Sequence, residues 1–557
     1  MLALRRSSAT AILMGMALLA GCGSDPVEPS NDPPTGLAVT AASSTSNTVT
    51  WSASSGATQY VLERAQGAAG AFAEINRPAA SAITYTDNGL LPSTQYRYRL
   101  AVVRSAGTSA FSGEVSATTQ APGTVNVTAD ITANTTWTVG NVYKIVGFRK
   151  VANGATLTID AGTKVVGDFA TAGSSLFVLR GGRIVANGTA PLPVVFTSSQ
   201  ADGARQPGDW GGLIIIGNGL INRSGTVNIE GTGTSGDNPL VAYSGGNNNA
   251  DNSGALHYVR VEYAGFGPAQ DAELNSFTFA AVGSGTVLDH LQSLNGLDDS
   301  FEFFGGAVDA KFLVSYEAGD DHFDMAEGYQ GRLQHLIAFQ SRVFPPRPGV
   351  GNASADPQGI ENDGCNGSGC DLAFNSTPFT TPVVANFTLV GTGPGIVPTG
   401  GGYGAVLRRG TGGHYVNGVM ARWPNAGIGY RDADTKARET GGLLSIRNLL
   451  IVETPLALQA GQQTYDIAAN AVTFDQPTTA ASLFTALPPL PTTAATSGAS
   501  FDWSLTATAA ARTGGLAAFT GDLLTRAGTF VTGTVYRGAW DPAGTKWWEG
   551  WTAYNRN

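Results

Sequence analysis

The chain has 557 residues, 74 of them glycine, only 13% charged, and a net charge of −10. That length allows several domains or one long solenoid with additions. The acidic balance argues against nucleic acid and against adhesion to anionic lipid by charge.

In chain order, Arg5 and Arg6 precede an apolar run from Ala11 to Ala20. The run is shorter than the roughly 20 residues that span a bilayer, and reads as a secretory signal. It ends in Leu19-Ala20-Gly21-Cys22, which resembles the lipobox of bacterial lipoproteins. The resemblance implies cleavage after residue 21 and a lipid on the Cys22 thiol. Ser24 follows Gly23 where the inner-membrane retention rule wants aspartate, so an outer-membrane or cell-surface location is expected. Residues 22–32 are rich in Pro, Asp and Ser and read as a tether. Beyond the signal no apolar run is long enough to span, so the lipid is the expected membrane contact.

Residues 33–120 alternate in short apolar runs: Val49 and Trp51, then Tyr60 and Leu62, then Tyr96, Tyr98, Leu100 and Val102. Period two with frequent turn signals predicts a β-sandwich. Gly89-Leu90-Leu91-Pro92-Ser93-Thr94-Gln95-Tyr96 resembles the fibronectin type III signature, in which the tyrosine closes a corner by bonding backward. The resemblance implies a spacer domain.

From residue 124 to 557 the texture changes to short β runs joined by Gly and Asn turns. Leu297-Asp298-Asp299-Ser300-Phe301-Glu302-Phe303 returns as Gly319-Asp320-Asp321-His322-Phe323-Asp324-Met325, and Phe279, Phe301 and Phe323 are evenly spaced. A fixed period in the low twenties is one coil of a three-sided solenoid, and stacking would make those phenylalanines an interior ladder. The region resembles right-handed parallel β-helices of the pectate-lyase type. Pro207-Gly208-Asp209-Trp210-Gly211-Gly212, Asp251 to Gly265, the two Asp-Asp repeats and the Trp-rich end also resemble a family of secreted β-helix lipoproteins. That likeness implies fold and location and no activity. The fold class expected is therefore all-β: a fibronectin type III sandwich followed by a right-handed parallel β-helix. The segment from Tyr536 to Trp551 is expected to pack as an aromatic cap over the last coils.

Alternation along a strand turns Asp298, Ser300 and Glu302 outward if the phenylalanines point in, and Asp320, His322 and Asp324 likewise in the next coil. Asp298 would then stack on Asp320 and Glu302 on Asp324. Such close like charges call for a proton, an arginine or a hard cation such as calcium. His322 is a candidate for protonation, and Glu361, Asp363, Arg408, Arg409 and Arg431 would extend the row into an acidic-to-basic stripe. A solvated polar face is the competing expectation. Asp299 and Asp321 share parity with the phenylalanines and are expected to cap turn amides at a coil corner. The stretch Asp237–Asp251 reads as a surface insertion. Cys365 and Cys370 lie five apart in a Gly-rich loop; a disulfide and two free thiols both remain open.

Three functions are compatible with these residues. The first is an envelope lipoprotein whose β-helix binds glycan or another surface component. The second is a calcium-dependent polysaccharide lyase or a glycoside hydrolase, with Arg408 or Arg409 as base beside Glu302 and Asp324. The third is a purely structural envelope protein. No nucleophile elbow, zinc pair or phosphate loop is present in the sequence.

Overall fold

The computed structural model describes residues 31–269, 272–345, 347–351, 353–354, 356–396, 400–489 and 498–556. The signal, Cys22 and the tether up to residue 30 lie outside the described residues. The chain divides into two compact units, residues 1–121 and 122–557.

The first unit is an antiparallel sandwich. Strands Ala38–Ala41, Ser46–Thr50 and Thr84–Asn88 form one sheet; the other is built around Gln59–Gln66 and Gln95–Arg104. Alternate residues of both sheets meet in a core of Val49, Trp51, Tyr60, Leu62, Tyr98 and Leu100. The Tyr96 hydroxyl accepts from the Leu91 amide at 3.0 Å. That is the backward corner bond the Gly89–Tyr96 signature implied.

The second unit is a parallel β-helix. Each central coil places one short strand in a nine-stranded sheet and a longer one in a seventeen-stranded sheet. The longer strands bend in mid-course, at Tyr258, His290, Phe312, His335 and Asn386, each at positive φ. Asn417 and Asn448 occupy the same corner in later coils, between paired short strands. Bending at that point gives each coil three faces from two sheets.

The interior is apolar from Ile131 to Val472. Phe277, Phe301 and Phe323 stack at centroid distances of 5.0 and 5.4 Å. Phe279 stacks on Phe303 at 5.2 Å. This corrects the ladder read from spacing: Phe277, not Phe279, is in register with Phe301. One coil is two residues longer than the next, so a constant offset picked the wrong neighbour. Each ring is fully buried, a contribution of about 1.5–3 kcal/mol per side chain.

The Trp210 motif is structural. Its indole is buried, stacks on Phe196 and donates from Nε1 to the Glu262 carbonyl at 2.8 Å. Gly319 has a similar local reason: a Cβ there would stand 1.7 Å from the Leu297 carbonyl oxygen. Only glycine lets the Gly319-Asp320-Asp321 corner close onto Leu297-Asp298-Asp299.

The C-terminal segment reaches the last coils and then continues back along the flank of the solenoid. The Asn448 side chain donates from Nδ2 to the Gly514 carbonyl at 2.9 Å, and Asn386 from Nδ2 to Thr534 Oγ1 at 2.8 Å. Further back, Gln292 donates to the Ala553 carbonyl at 2.6 Å, and Arg260 to the Trp551 carbonyl at 2.8 Å. The segment is therefore a lateral strap, and its Trp547 and Trp551 lie against Tyr258, His290 and Phe312 of earlier coils, not over the last ones. No helix among the described residues is long and apolar enough to cross a membrane.

Candidate functional site

The outer face of the nine-stranded sheet carries the acidic residues. Glu302 is in register with Asp324, and Asp324 with Glu361. The vertical stacking expected from the repeat is present. Asp363 is in register with Arg408, so the acidic-to-basic succession exists as well. Arg431 stands apart from the carboxylates, donating to Gln459 and lying over the Tyr403 ring.

The environment differs from a solvated face. Glu302 is 5% exposed, Asp321 3% and Glu361 8%, because loops without any period fold over the strands. The insertion between strands Gly212–Ile216 and Gly254–Glu262 packs Val227, Ile229, Val241 and Tyr243 onto Phe177, Ile214 and Ile216. Tyr243 donates to Glu327 at 2.5 Å, and Arg223 pairs with the same carboxylate. At the end of the insertion Asp251 accepts from the Asn218 amide at 3.1 Å. The disulfide Cys365–Cys370 closes a neighbouring loop. Its Gly369 carbonyl accepts from the Ser224 amide, fastening the insertion in place.

His322 is not a protonated partner for the carboxylates. It is 1% exposed, shares a 2.5 Å contact with Ser315 Oγ, and burial pushes it down to about 3. The corner residues behave as expected of turn caps. Asn275 accepts from the Asp299 amide, Asp299 from the Asp321 amide at 2.8 Å, and Asp321 from the Gln358 amide. Side chain of one coil thus caps backbone of the next, and the ladder continues from Gln358 to the Tyr403 amide.

Seven carboxylates form three linked triads: Asp298, Asp299 and Asp320; Asp299, Glu302 and Asp324; Asp321, Asp324 and Glu361. In each triad one oxygen per residue lies within 4.8 Å of the others. Oxygens around one calcium stand about 2.3–2.6 Å from the ion, so up to about 5 Å from one another. The triads fit that limit. Oδ1 of Asp320 and Oδ1 of Asp324 are buried with no hydrogen-bond partner among the described residues. Buried polar atoms are nearly always paired, so these two ask for a ligand. The donor set is all hard oxygen, suited to calcium and unsuited to zinc.

Electrostatics point the same way. Burial, then the mutual repulsion of neighbours, holds Asp298, Asp299, Glu302, Asp321, Asp324 and Glu361 well above the ordinary carboxylate range. Asp320 is pushed up to about 7, chiefly by burial. Two arginines enter the end of the row. Arg408 donates to Asp363 at 2.8 Å, pairs with Glu361, and lies 3.5 Å from Asp356. Against the cost of its burial, Asp363 and Glu361 hold its guanidinium above its ordinary value. Arg409 is tied to Asp363 through its side chain. A guanidinium held charged by two carboxylates does not accept a proton, so Arg408 is an ion-pair partner here.

The stacked corner was not anticipated. Tyr258, His290, Phe312 and His335 form a continuous outer stack, with centroids 4.2, 4.5 and 5.1 Å apart. Trp547 and Trp551 of the strap abut it edge-on. The signal was available in the 22- and 23-residue steps from His290 to Phe312 to His335, and the 31-residue steps between Asn386, Asn417 and Asn448.

Against known proteins, residues 129–492 match the family model described as a pectate-lyase like beta helix domain. Residues 32–118 match the fibronectin type III domain model. A curated poly(3-hydroxybutyrate) depolymerase from Ralstonia pickettii is 42% identical over 96 residues, covering 17% of this chain. The chain spans under a fifth of that relative's length. Among solved structures, an Fn3-like protein from Clostridium thermocellum is 28% identical, covering 16% of this chain and 93% of that one, with a TM-score of 0.15. Titin domains A168–A170 are 27% identical over 16% of this chain and 32% of that one, also at 0.15.

Proposed function

Since the chain belongs to the family of pectate-lyase-like β-helix domains, we propose that it is a secreted carbohydrate-binding protein whose solenoid holds calcium on its partly buried carboxylate ladder. The observation that carries this reading is the pair of buried, unpartnered oxygens, on Asp320 and Asp324, inside linked acidic triads. Asp298, Glu302, Asp320 and Asp324 would hold the ion, with Asp299, Asp321 and Glu361 beside them. Bound calcium would supply positive charge between coils and leave the carboxylates ionised.

The chain's own residues favour binding over cleavage. A lyase needs a base facing its substrate, and Arg408 and Arg409 are both engaged by Asp363. A hydrolase needs two accessible carboxyls, and Glu302 is closed in by Asn275 and the overlying loops. The lipid on Cys22 and the sandwich spacer complete the reading: the solenoid is displayed from a bacterial envelope, at the outer membrane or cell surface.

The test is an array of neutral and acidic polysaccharides, probed in calcium and in EGTA, with unsaturated products followed by their ultraviolet absorbance. Calcium-dependent retention without product is expected. Product formation would make the protein a lyase, and retention indifferent to EGTA would detach the ladder from binding.

A further inference from the structure

A second charged site lies beside the carboxylate ladder, where two loops and the C-terminal strap meet. A cavity of about 180 Å³ is lined by Arg205, Arg342, Arg347 and Arg556, with Phe344 and Leu297 as its main apolar walls. Among the described residues that line it there is no carboxylate.

The acidic partners stand behind or outside the lining. Asp209 pairs with Arg347 at 3.1 Å, and its side chain is fully buried. Glu317, also fully buried, pairs with Arg556 at 2.7 Å and accepts from the Ser341 hydroxyl and amide. Asp202 pairs with Arg205 at 2.5 Å but is 88% exposed, so water and salt screen it. Among the described residues, four guanidiniums thus meet two buried carboxylates.

Arg342 is the one left short. Its nearest carboxylate oxygen, on Glu317, is 3.9 Å away and already bonded elsewhere. Its Nε is buried with no hydrogen-bond partner. Its plane lies over the Phe344 ring at 4.7 Å, and Nη2 donates to Asn295 at 3.2 Å. This guanidinium is a third exposed, with its Nε shut away from solvent, and it lacks the oxyanion its planar fork would bind in pairs of bonds.

We propose that this cavity is an oxyanion-binding site, taking a carboxylate or sulfate group between Arg342 and the neighbouring arginines. A water's share of liquid is about 30 Å³, so the cavity has room for about six waters. That volume suits a small oxyanion, or the charged end of a sugar uronate or sulfate ester with its ring against Phe344. None of its lining residues belongs to the acidic triads, although Arg342 also borders a small pocket with Asp320.

The intact protein is titrated by calorimetry with sodium sulfate, sodium glucuronate and glucose, at constant ionic strength in chloride. Saturable binding of sulfate or glucuronate, and none of glucose, is expected. Sulfate alone identifies an inorganic anion or sulfate ester as the ligand; glucuronate binding extends it to carboxylated sugars. Arg342→Gln is expected to weaken binding at least tenfold, with Arg342→Lys in between. Arg205→Gln, whose acidic partner is exposed, gives a weaker loss and serves if Arg342→Gln does not fold. Absence of saturable binding to either anion, or wild-type affinity in a folded Arg342→Gln or in Arg205→Gln, overturns the proposal.

Discussion

In excess EGTA, the chain is expected to melt at a lower temperature at about pH 8 than at about pH 5, and millimolar calcium is expected to remove or reverse the difference. The carboxyls of the ladder have folded pKa values above their unfolded ones, through burial and then mutual repulsion. A raised carboxyl binds more protons in the folded chain than in the unfolded chain. Its stabilising contribution is complete below the unfolded value, about 4, and is lost as pH rises through the folded value. Burial pushes Asp320 up to about 7 and holds the other members well above the ordinary range, so the loss is expected to begin near pH 4 and to extend past neutrality. Calcium acts in the opposite direction. It binds the ionised form, so its hold strengthens as protons leave. Differential scanning calorimetry across that pH range, with and without calcium, reads both effects. A metal-free melting temperature that climbs steadily from pH 5 to 8 would contradict the proposed electrostatics.

Arg408→Met is expected to be among the most damaging single substitutions in the solenoid. Methionine keeps much of the apolar stem but removes the charge that faces Glu361, Asp363 and Asp356. Breaking a buried ion pair by removing one partner costs about 3–5 kcal/mol, because the other charge stays buried. Urea unfolding of the metal-free protein at neutral pH should show a loss of that size. Arg409→Met, at a guanidinium that is 30% exposed, should lose about 1 kcal/mol or less. Near pH 5 the Arg408→Met deficit should shrink, since Glu361, raised by burial and Asp363, can take a proton in place of its partner. An equal deficit at both pH values would show that Arg408 matters for packing alone.

Much of this architecture can be read from local pattern. The corner signature ending at Tyr96 announces the sandwich, and the repeated Asp-Asp-x-Phe unit announces stacked coils. Alternation about Phe301 correctly places Glu302 over Asp324. Strand periodicity reports which side of the sheet a residue faces, but not what lies on that side. The insertion that packs on the outer face of the nine-stranded sheet has no period, and its apolar residues, such as Val227 and Tyr243, read as scattered. His322 looked like an exposed partner because alternation holds within a strand, while His322 sits at the corner before strand Phe323–Ala326. The Phe277–Phe301 step escaped a fixed offset because coil length varies. The arginine cavity joins Arg342 to Arg556 through a strap that no short-range pattern could have placed there.

The most direct test of the calcium ladder is a calorimetric titration of calcium into chelator-stripped protein near neutral pH, run beside Asp324→Asn. Asp324 belongs to two of the three triads and carries one of the unpartnered oxygens. The account predicts saturable binding of at least one calcium per chain, weakened at least tenfold in Asp324→Asn. Absence of saturable binding in the wild-type chain, together with a melting temperature that calcium leaves unchanged, would contradict it.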